Sequence, residues 1–416
     1  MKNPTNDRNY TQYGDTANLD AFSRLRVSNS VSLFVSSLTY NLQETQWETI
    51  VNGTGASVTH SPNESLAVLQ AGTVSGEYAI RQTYRYFTYV PGKSQLVAIT
   101  GILGSGKTNV TSRLGYFDDR NGLFFQLADT TLSVVKRSYA SGTAVDASVS
   151  QSSWNIDKLD GTGPSGITLD LTKAQIFIID FQWLAVGRVR FGFDIDGVIV
   201  YCHEMKHANT LSTVYMTTAI LPVRYEIINT GTSASLTQLK QICTSLTSEG
   251  GLILPGNEFS ASSGITTVAV TTRRPIFAIR QLATFNSLPN HRTARIFNMW
   301  LRATTNDLYW ELMHVHNPTA VTGTWTAVNT AASSVEYSTD ISAVTATMQH
   351  RILSGTQTTS QGSFSEAAVH DVSSLQDHSF MTQNRAADMS QMFVIFGTSY
   401  TGTSNISCGM AWLETD

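Results

Sequence analysis

The chain is short of charge. Asp, Glu, Lys and Arg make up 14% of its 416 residues, against about 25% in an average soluble domain. A formal net charge of −4 provides no basic field for a polyanion, so nucleic acid is not an expected partner. Cys202, Cys243 and Cys408 are the three cysteines. That number is too small, and odd, for a disulfide framework, and buried free thiols are expected. No run approaches the ~18 consecutive apolar residues of a membrane-spanning helix, so no membrane partner is expected. The start, MKNPTNDRNYTQYGD, is too polar for a secretory leader.

Ser, Thr, Asn and Gln supply the missing polarity. Chains rich in Ser, Thr and β-branched residues and poor in Lys are usually all-β. The expected fold is two antiparallel β-sandwiches, of jelly-roll or lectin-like type, behind an extended arm. Residues 1–30 form the arm or docking segment, 31–250 the first sandwich, 251–263 a linker and 264–416 the second sandwich. The linker rests on EGGLILPGNEFSASSG, whose glycines, Pro255-Gly256 and serines are boundary composition. Strand candidates in the first region include Gln46–Ile50, Leu66–Gln70, Tyr78–Tyr89, Gln95–Thr100, Leu123–Ala128 and Leu132–Arg137. Those in the second are Thr267–Thr272, Ile276–Leu282, Arg295–Ala303, Leu308–His314 and Met392–Thr398. Ser141–Ser152, small and polar, reads as an exposed loop, and Ala367–Asp388 as a place for a short helix. Asn121–Leu127 and Asn306–Leu312 are alike, and either a duplicated sandwich or chance accounts for that.

Lys173–Thr210 is the block around which the first region is organised. Ile176–Ile179 is a continuous apolar run, suited to a strand buried on both faces. From Gly187 the pattern alternates: Arg188, Arg190, Asp194 and Asp196 against Val189, Phe191, Phe193 and Ile195. Period two gives one buried and one charged face. Asp196-Gly197 is a two-residue hairpin signal before the return strand Val198–Tyr201. The block is expected at the centre of an antiparallel sheet.

Three motifs invite an enzyme reading. Gly101–Thr108, GILGSGKT, satisfies the phosphate-loop pattern G-x-x-x-x-G-K-[ST], with Ile176–Asp180 as a magnesium-side strand. Such a loop works by opening a helix whose N–H groups face the phosphates. Asn109–Gly115, with its β-branched residues, is a poor helix, so a glycine-rich hairpin loop is expected, with Lys107 solvated. His203–His207, HEMKH, satisfies H-E-x-x-H, and Glu226 could add a third zinc ligand. Both histidines must lie one helical turn apart. Here they follow a strand, where four residues span about 13 Å. Asp118, Asp119, Asp194 and Asp196 could form a glycosidase pair or a calcium site, yet both stretches are ordinary turn chemistry. No catalytic, cofactor-binding or metal-ligating residue is therefore assigned, and no cofactor.

DAFSRLRVSN, within Asp20–Asn29, resembles the N-terminal signature of virion structural proteins from tailed bacteriophages and other large DNA viruses. Ser112–Leu127, Gln151–Thr210 and Leu221–Ile227 are similar to later blocks of that group, in order. The resemblance spans roughly residues 20–250 and implies a particle component made in the host cytoplasm. Residues 251–416 resemble no known group.

The leading expectation is a non-enzymatic virion subunit, an appendage, fibre-type or decoration protein. Its partners would be other virion proteins and further copies of itself, a trimer first. Phe22, Leu25 and Val27 would be its apolar docking residues, with Arg24 and Arg26 pairing alongside; the alternative keeps Phe22–Phe34 as an edge strand of its own sandwich. A second reading is a carbohydrate-binding adhesin that stacks host-surface glycans on Trp183, Trp300 or Trp310. A third is a zinc peptidase or glycoside hydrolase.

Overall fold

The computed structural model describes residues 29–251, 256–316, 318–359, 368–371, 380–388 and 390–415. The docking residues Phe22, Arg24, Leu25, Arg26 and Val27 lie outside them. Apart from one 3-10 turn at Gln151–Ser153, the regular structure is β, and every pairing between strands is antiparallel. The fold is all-β, as the composition indicates.

Two sheets form from residues 31–248. One orders its strands Val198–Met205, Val189–Ile195, Gln175–Phe181, Gln95–Ile102, Thr237–Ser248, Leu66–Ala71 and Ser57–Ser61, with Val31–Ser37 paired to the far half of Thr237–Ser248. The other runs Val145–Ser150, Thr131–Ser138, Gly122–Asp129, Lys107–Phe117, Val223–Asn229, Tyr78–Thr83 and Trp47–Asn52. Alternate residues from both sheets share one apolar core, including Val97, Ile99, Phe177 and Phe191 from the first and Leu114, Phe125, Val134 and Tyr225 from the second. This is a β-sandwich.

Residues 257–415 build a second one. Asn257–Ser262, Ser404–Thr415, Thr293–Ala303 and Ala368–Asp371 make one sheet; Thr326–Ala327, Val335–Ser338, Arg274–Gln281, Met392–Ser399, Leu308–Val315 and Gln349–Gln357 make the other. Met299, Leu301, Met410 and Trp412 meet Phe277, Trp310, Leu312 and Ile395 between them. A two-stranded antiparallel ribbon of Pro318–Thr322 and Ala343–Ala346, which are not consecutive strands, covers the outer face of the second sheet, over Met313, Val315 and Val394.

Several expectations need correction. The Lys173–Thr210 block lies at one end of its sheet, with Val198–Met205 as the edge strand. Its last strand begins on exposed Val198 and Ile199. The Asp196-Gly197 turn is as expected, with φ of 55° and 83°, the positive pair that a two-residue hairpin requires. Ser141–Ser152 is not all loop. Val145–Ser150 pairs along Ser133–Ser138, with Val145, Ala147 and Val149 alternating along it and Val149 packed against the first core. The described part of Ala367–Asp388 holds no helix: Ala368–Asp371 and Phe380–Met381 pair with Thr293–Ala303. Cys202 and Cys408 are buried but Cys243 is exposed, pointing outward from an alternating strand.

The expected strand Tyr78–Tyr89 stops at Thr83, where the Thr83 hydroxyl bonds to Arg85 O at 2.9 Å. Tyr84–Thr88 then runs along the second sandwich. Tyr86 stacks on His291 at 4.0 Å between centroids, Arg85 lies 4.0 Å over the Phe380 ring, and Thr293 Oγ1 donates to Tyr86 O at 3.3 Å. Asp119 accepts from Arg224 of the first sandwich at 2.7 Å and from Arg385 of the second at 3.0 Å. The Arg385 backbone N–H also donates to Glu48 at 2.8 Å.

This junction makes stability pH-dependent. Burial, reinforced by Arg120, pushes the His291 imidazole down to about 4. Burial opposes the charge of Asp119, but Arg224 and Arg385 outweigh it and hold the carboxyl at about 2. A depressed histidine favours folding while neutral, so its contribution is intact above about 6.5 and lost as pH falls toward 4. A depressed aspartate contributes fully above about 4 and loses that contribution as pH falls through 2. The urea midpoint is expected to fall in two stages, below pH 6.5 and again below 4. His291→Gln should flatten part of the first stage; His203 and His207, also depressed by burial, act in the same direction, while Glu48 and Asp118, raised by burial, oppose them. A midpoint constant from pH 6.5 to 4.5 would count against this electrostatic account.

Candidate functional site

The strand Leu308–Val315 places alternate residues on one face. Leu308, Trp310 and Leu312 enter the core of the second sandwich, while Met313 and Val315 face the outer two-stranded ribbon. The inward row continues as His314 and His316, both buried. Two imidazoles thus stand where the pattern calls for two apolar side chains. The ladder to Gln349–Gln357 sets His350 directly opposite His314. Among the described residues, these three histidines form a group whose donor atoms all lie within 4.8 Å of one another.

The rings are oriented from several sides. His314 stacks on Phe393 at 4.5 Å. His316 Nε2 is 3.2 Å from His350 Nδ1, and its Nδ1 is 3.1 Å from the Gln391 amide. Gln391 in turn accepts from Thr382 Oγ1 at 3.1 Å. His314 and His316 line a cavity of about 280 Å³ between the sandwiches, with Leu33, Tyr84 and Arg85 across from them. Arg85 donates to Leu33 O at 3.3 Å. The arrangement offers nitrogen donors and a roomy side that carries a cation. Sequence reading assigned no role to these histidines. The H-x-H spacing continuing an inward apolar row was a visible signal for two of them; the third needed the strand register.

The motifs singled out in the sequence are placed differently. Gly101–Thr108 is neither a helix start nor a hairpin. It carries the chain from Gln95–Ile102 in one sheet to Lys107–Phe117 in the other, with Gly104 and Gly106 at φ of 84° and 74°. A Cβ on Gly106 would lie 2.2 Å from Asp129 O. Lys107 is partly exposed, and its Nζ bonds to Ser235 at the surface. Asp180 is buried, and it is held by Arg190 and by the Tyr201 hydroxyl at 2.9 Å.

H-E-x-x-H straddles a strand end. His203 accepts from Asn155 N at 3.3 Å. Glu204 pairs with Lys206 at 2.6 Å. His207 donates from Nδ1 to Gly187 O at 2.6 Å and stacks on Tyr215 at 4.2 Å. Glu226 is bound instead to Arg113 at 2.6 Å. The four aspartates also divide. Asp118 closes its own turn through Arg120 N and Asn121 N, both at 2.7 Å, Asp119 joins the junction, and Asp194 caps the Asp196-Gly197 turn through Gly197 N at 2.9 Å. None of the seven tryptophans is exposed. Trp310 is buried, Trp300 is half-buried, and half-buried Trp183 donates to Met216 O at 3.1 Å. Trp183, beside Tyr89, also lines a cavity of about 540 Å³.

No family model matches the chain, and no curated protein does. Solved structures share its general β character at low likeness. A Shewanella oneidensis MR-1 protein of unknown function is 8% identical, with a TM-score of 0.34, over 54% of this chain and 88% of that one. A glycoside hydrolase family 16 endo-glucanase from Bacteroides ovatus is 8% identical, with a TM-score of 0.35, over 51% and 99%. A legume lectin-like domain from Entamoeba histolytica is 14% identical, with a TM-score of 0.28, over 50% and 92%. Likeness at this level carries no activity or ligand to this chain.

If the glycine-rich segment is a sheet-to-sheet corner, Lys107→Ala leaves the unfolding free energy within about 0.5 kcal/mol, as for ordinary surface changes. Urea unfolding and ATP titration of both proteins check this. ATP binding at micromolar concentration that Lys107→Ala abolishes would contradict it.

Proposed function

We propose that the protein is a non-enzymatic structural component of a virus particle, an appendage, fibre-type or decoration subunit that docks through its N-terminal segment. One observation carries this reading. The segments that resemble virion proteins fall on framework strands. Ser112–Leu127 spans most of the paired strands Lys107–Phe117 and Gly122–Asp129; Gln151–Thr210 spans Gln175–Phe181, Val189–Ile195 and Val198–Met205; Leu221–Ile227 covers most of Val223–Asn229. What this chain has in common with that group is thus scaffold rather than a cleft. The chemistry-bearing motifs support the same reading, since each is consumed by turns, ladders and ion pairs, in the first sandwich or, for Asp119, at its junction with the second.

The N-terminal segment gives the proposal its test. The first described strand begins at Val31 and is held by the ladder Val31↔Ser248 to Ser37↔Cys243. Leu33 and Leu38 sit in the first core. Deleting residues 1–27 therefore spares this strand. The truncated chain is expected to fold, stay soluble and fail to join its oligomer or particle, as measured by circular dichroism, light scattering and incorporation into particles. Assembly equal to that of the full chain would show that Phe22, Leu25 and Val27 are not docking residues. Loss of folding would assign them to the core.

A further inference from the structure

We infer that the group of His314, His316 and His350 binds a divalent transition metal, zinc foremost, at the junction of the two sandwiches, from three features of strand Leu308–Val315 and its neighbours. The first is geometric. Tetrahedral zinc with Zn–N bonds of about 2.0–2.1 Å holds its donor atoms roughly 3.3–3.4 Å apart. His316 Nε2 and His350 Nδ1 are already 3.2 Å apart, and every donor in the group lies within 4.8 Å of the others. Side-chain adjustments of about 1 Å complete the set. His314 and His350 face each other across one rung of the ladder, so the strands hold the donors together before any ion arrives.

The second feature is donor chemistry. Three imidazoles and no carboxylate make the group. Calcium and magnesium take oxygen ligands, whereas imidazole suits zinc, copper and nickel. Three protein ligands leave one tetrahedral position, and the cavity of about 280 Å³ lined by His314 and His316 has room for a water or an anion there. Arg85 on the same cavity favours an anionic fourth ligand.

The third is the group behind the ring. A histidine bound to metal through Nε2 must carry its proton on Nδ1 and donate it. Gln391 stands 3.1 Å from His316 Nδ1, anchored by Thr382. Turning the Gln391 amide by 180° presents its oxygen to His316 and its NH2 to the Thr382 hydroxyl, so the same contacts serve the metal-bound tautomer. Amide nitrogen and oxygen are interchangeable by shape.

The test uses the full chain, stripped with a chelator, desalted, and titrated with Zn²⁺ against a chromophoric competitor and separately with Co²⁺. One equivalent of Zn²⁺ per chain is expected, with the intense visible bands of tetrahedral Co²⁺. His316→Ala and His350→Gln should each weaken Zn²⁺ binding at least about 100-fold, and Gln391→Ala about 10-fold, the lower end for the loss of an orienting partner. Circular dichroism of the metal-free variants establishes that they fold; half-buried His350 is the safer position. The metal should also raise Tm by mass action in the wild type and not in His350→Gln. A wild-type chain that shows no tetrahedral Co²⁺ spectrum overturns the inference whatever the variants do. So does Zn²⁺ binding that His316→Ala and His350→Gln leave intact but His203→Ala removes, because the ion would then sit on the H-E-x-x-H segment.

Discussion

The structure depends on how two sandwiches are joined by charged and aromatic groups. Arg224 is fully buried in the first sandwich. It is compensated by Asp119 at 2.7 Å, by Glu226 at 3.4 Å and by Gln82 at 2.8 Å. Glu226 and Gln82 lie on the buried side of Arg224, whereas the Asp119 side chain is about half exposed, so solvent screens its share of the compensation. Asp119 also receives Arg385 from the second sandwich, so the balance of a buried cation in one sandwich is tied to a residue of the other. The neighbouring run Tyr84–Thr88 leaves the ladder at Thr83 and adds ring stacking and backbone hydrogen bonds to the same junction.

That constraint explains where chemistry is available. Inside each sandwich the faces are filled by alternating apolar residues, and polar side chains are drawn into turns or ion pairs. At the junction, the core of the second sandwich ends against the first rather than against solvent. A strand can therefore keep its inward alternation there and still present imidazoles beside a cavity. The three histidines and Arg85 meet at that boundary, whereas the H-E-x-x-H segment is spent on a strand end, with His207 locked to Gly187 O.

Much of the fold was legible in the sequence. Period-two alternation located most strands to within a few residues, and Asp196-Gly197 marked a hairpin because both residues had to adopt positive φ. Sheet membership was less legible. Lys107–Phe117 follows Gln95–Ile102 after four residues, the spacing of a hairpin, yet the chain crosses to the opposite sheet; local turn chemistry does not distinguish these outcomes. Ser141–Ser152 was misread because the alternation of Val145, Ala147 and Val149 is short, built on small residues and set among serines and threonines. For the candidate site, the inward row Leu308, Trp310, Leu312, His314, His316 was readable as a buried face turning polar. His350 was not, because it is 34 residues from His316 in sequence and meets the other two only through strand register.

The central claim is that the junction couples the two sandwiches into one cooperative unit. Differential scanning calorimetry of the full chain and of Asp119→Ala tests it most directly. The account predicts one transition for the wild type, with calorimetric and van't Hoff enthalpies in agreement, and two resolved transitions for Asp119→Ala, which takes a shared partner from both Arg224 and Arg385. A wild-type chain that already melts in two independent steps, with midpoints unmoved by Asp119→Ala, would contradict it.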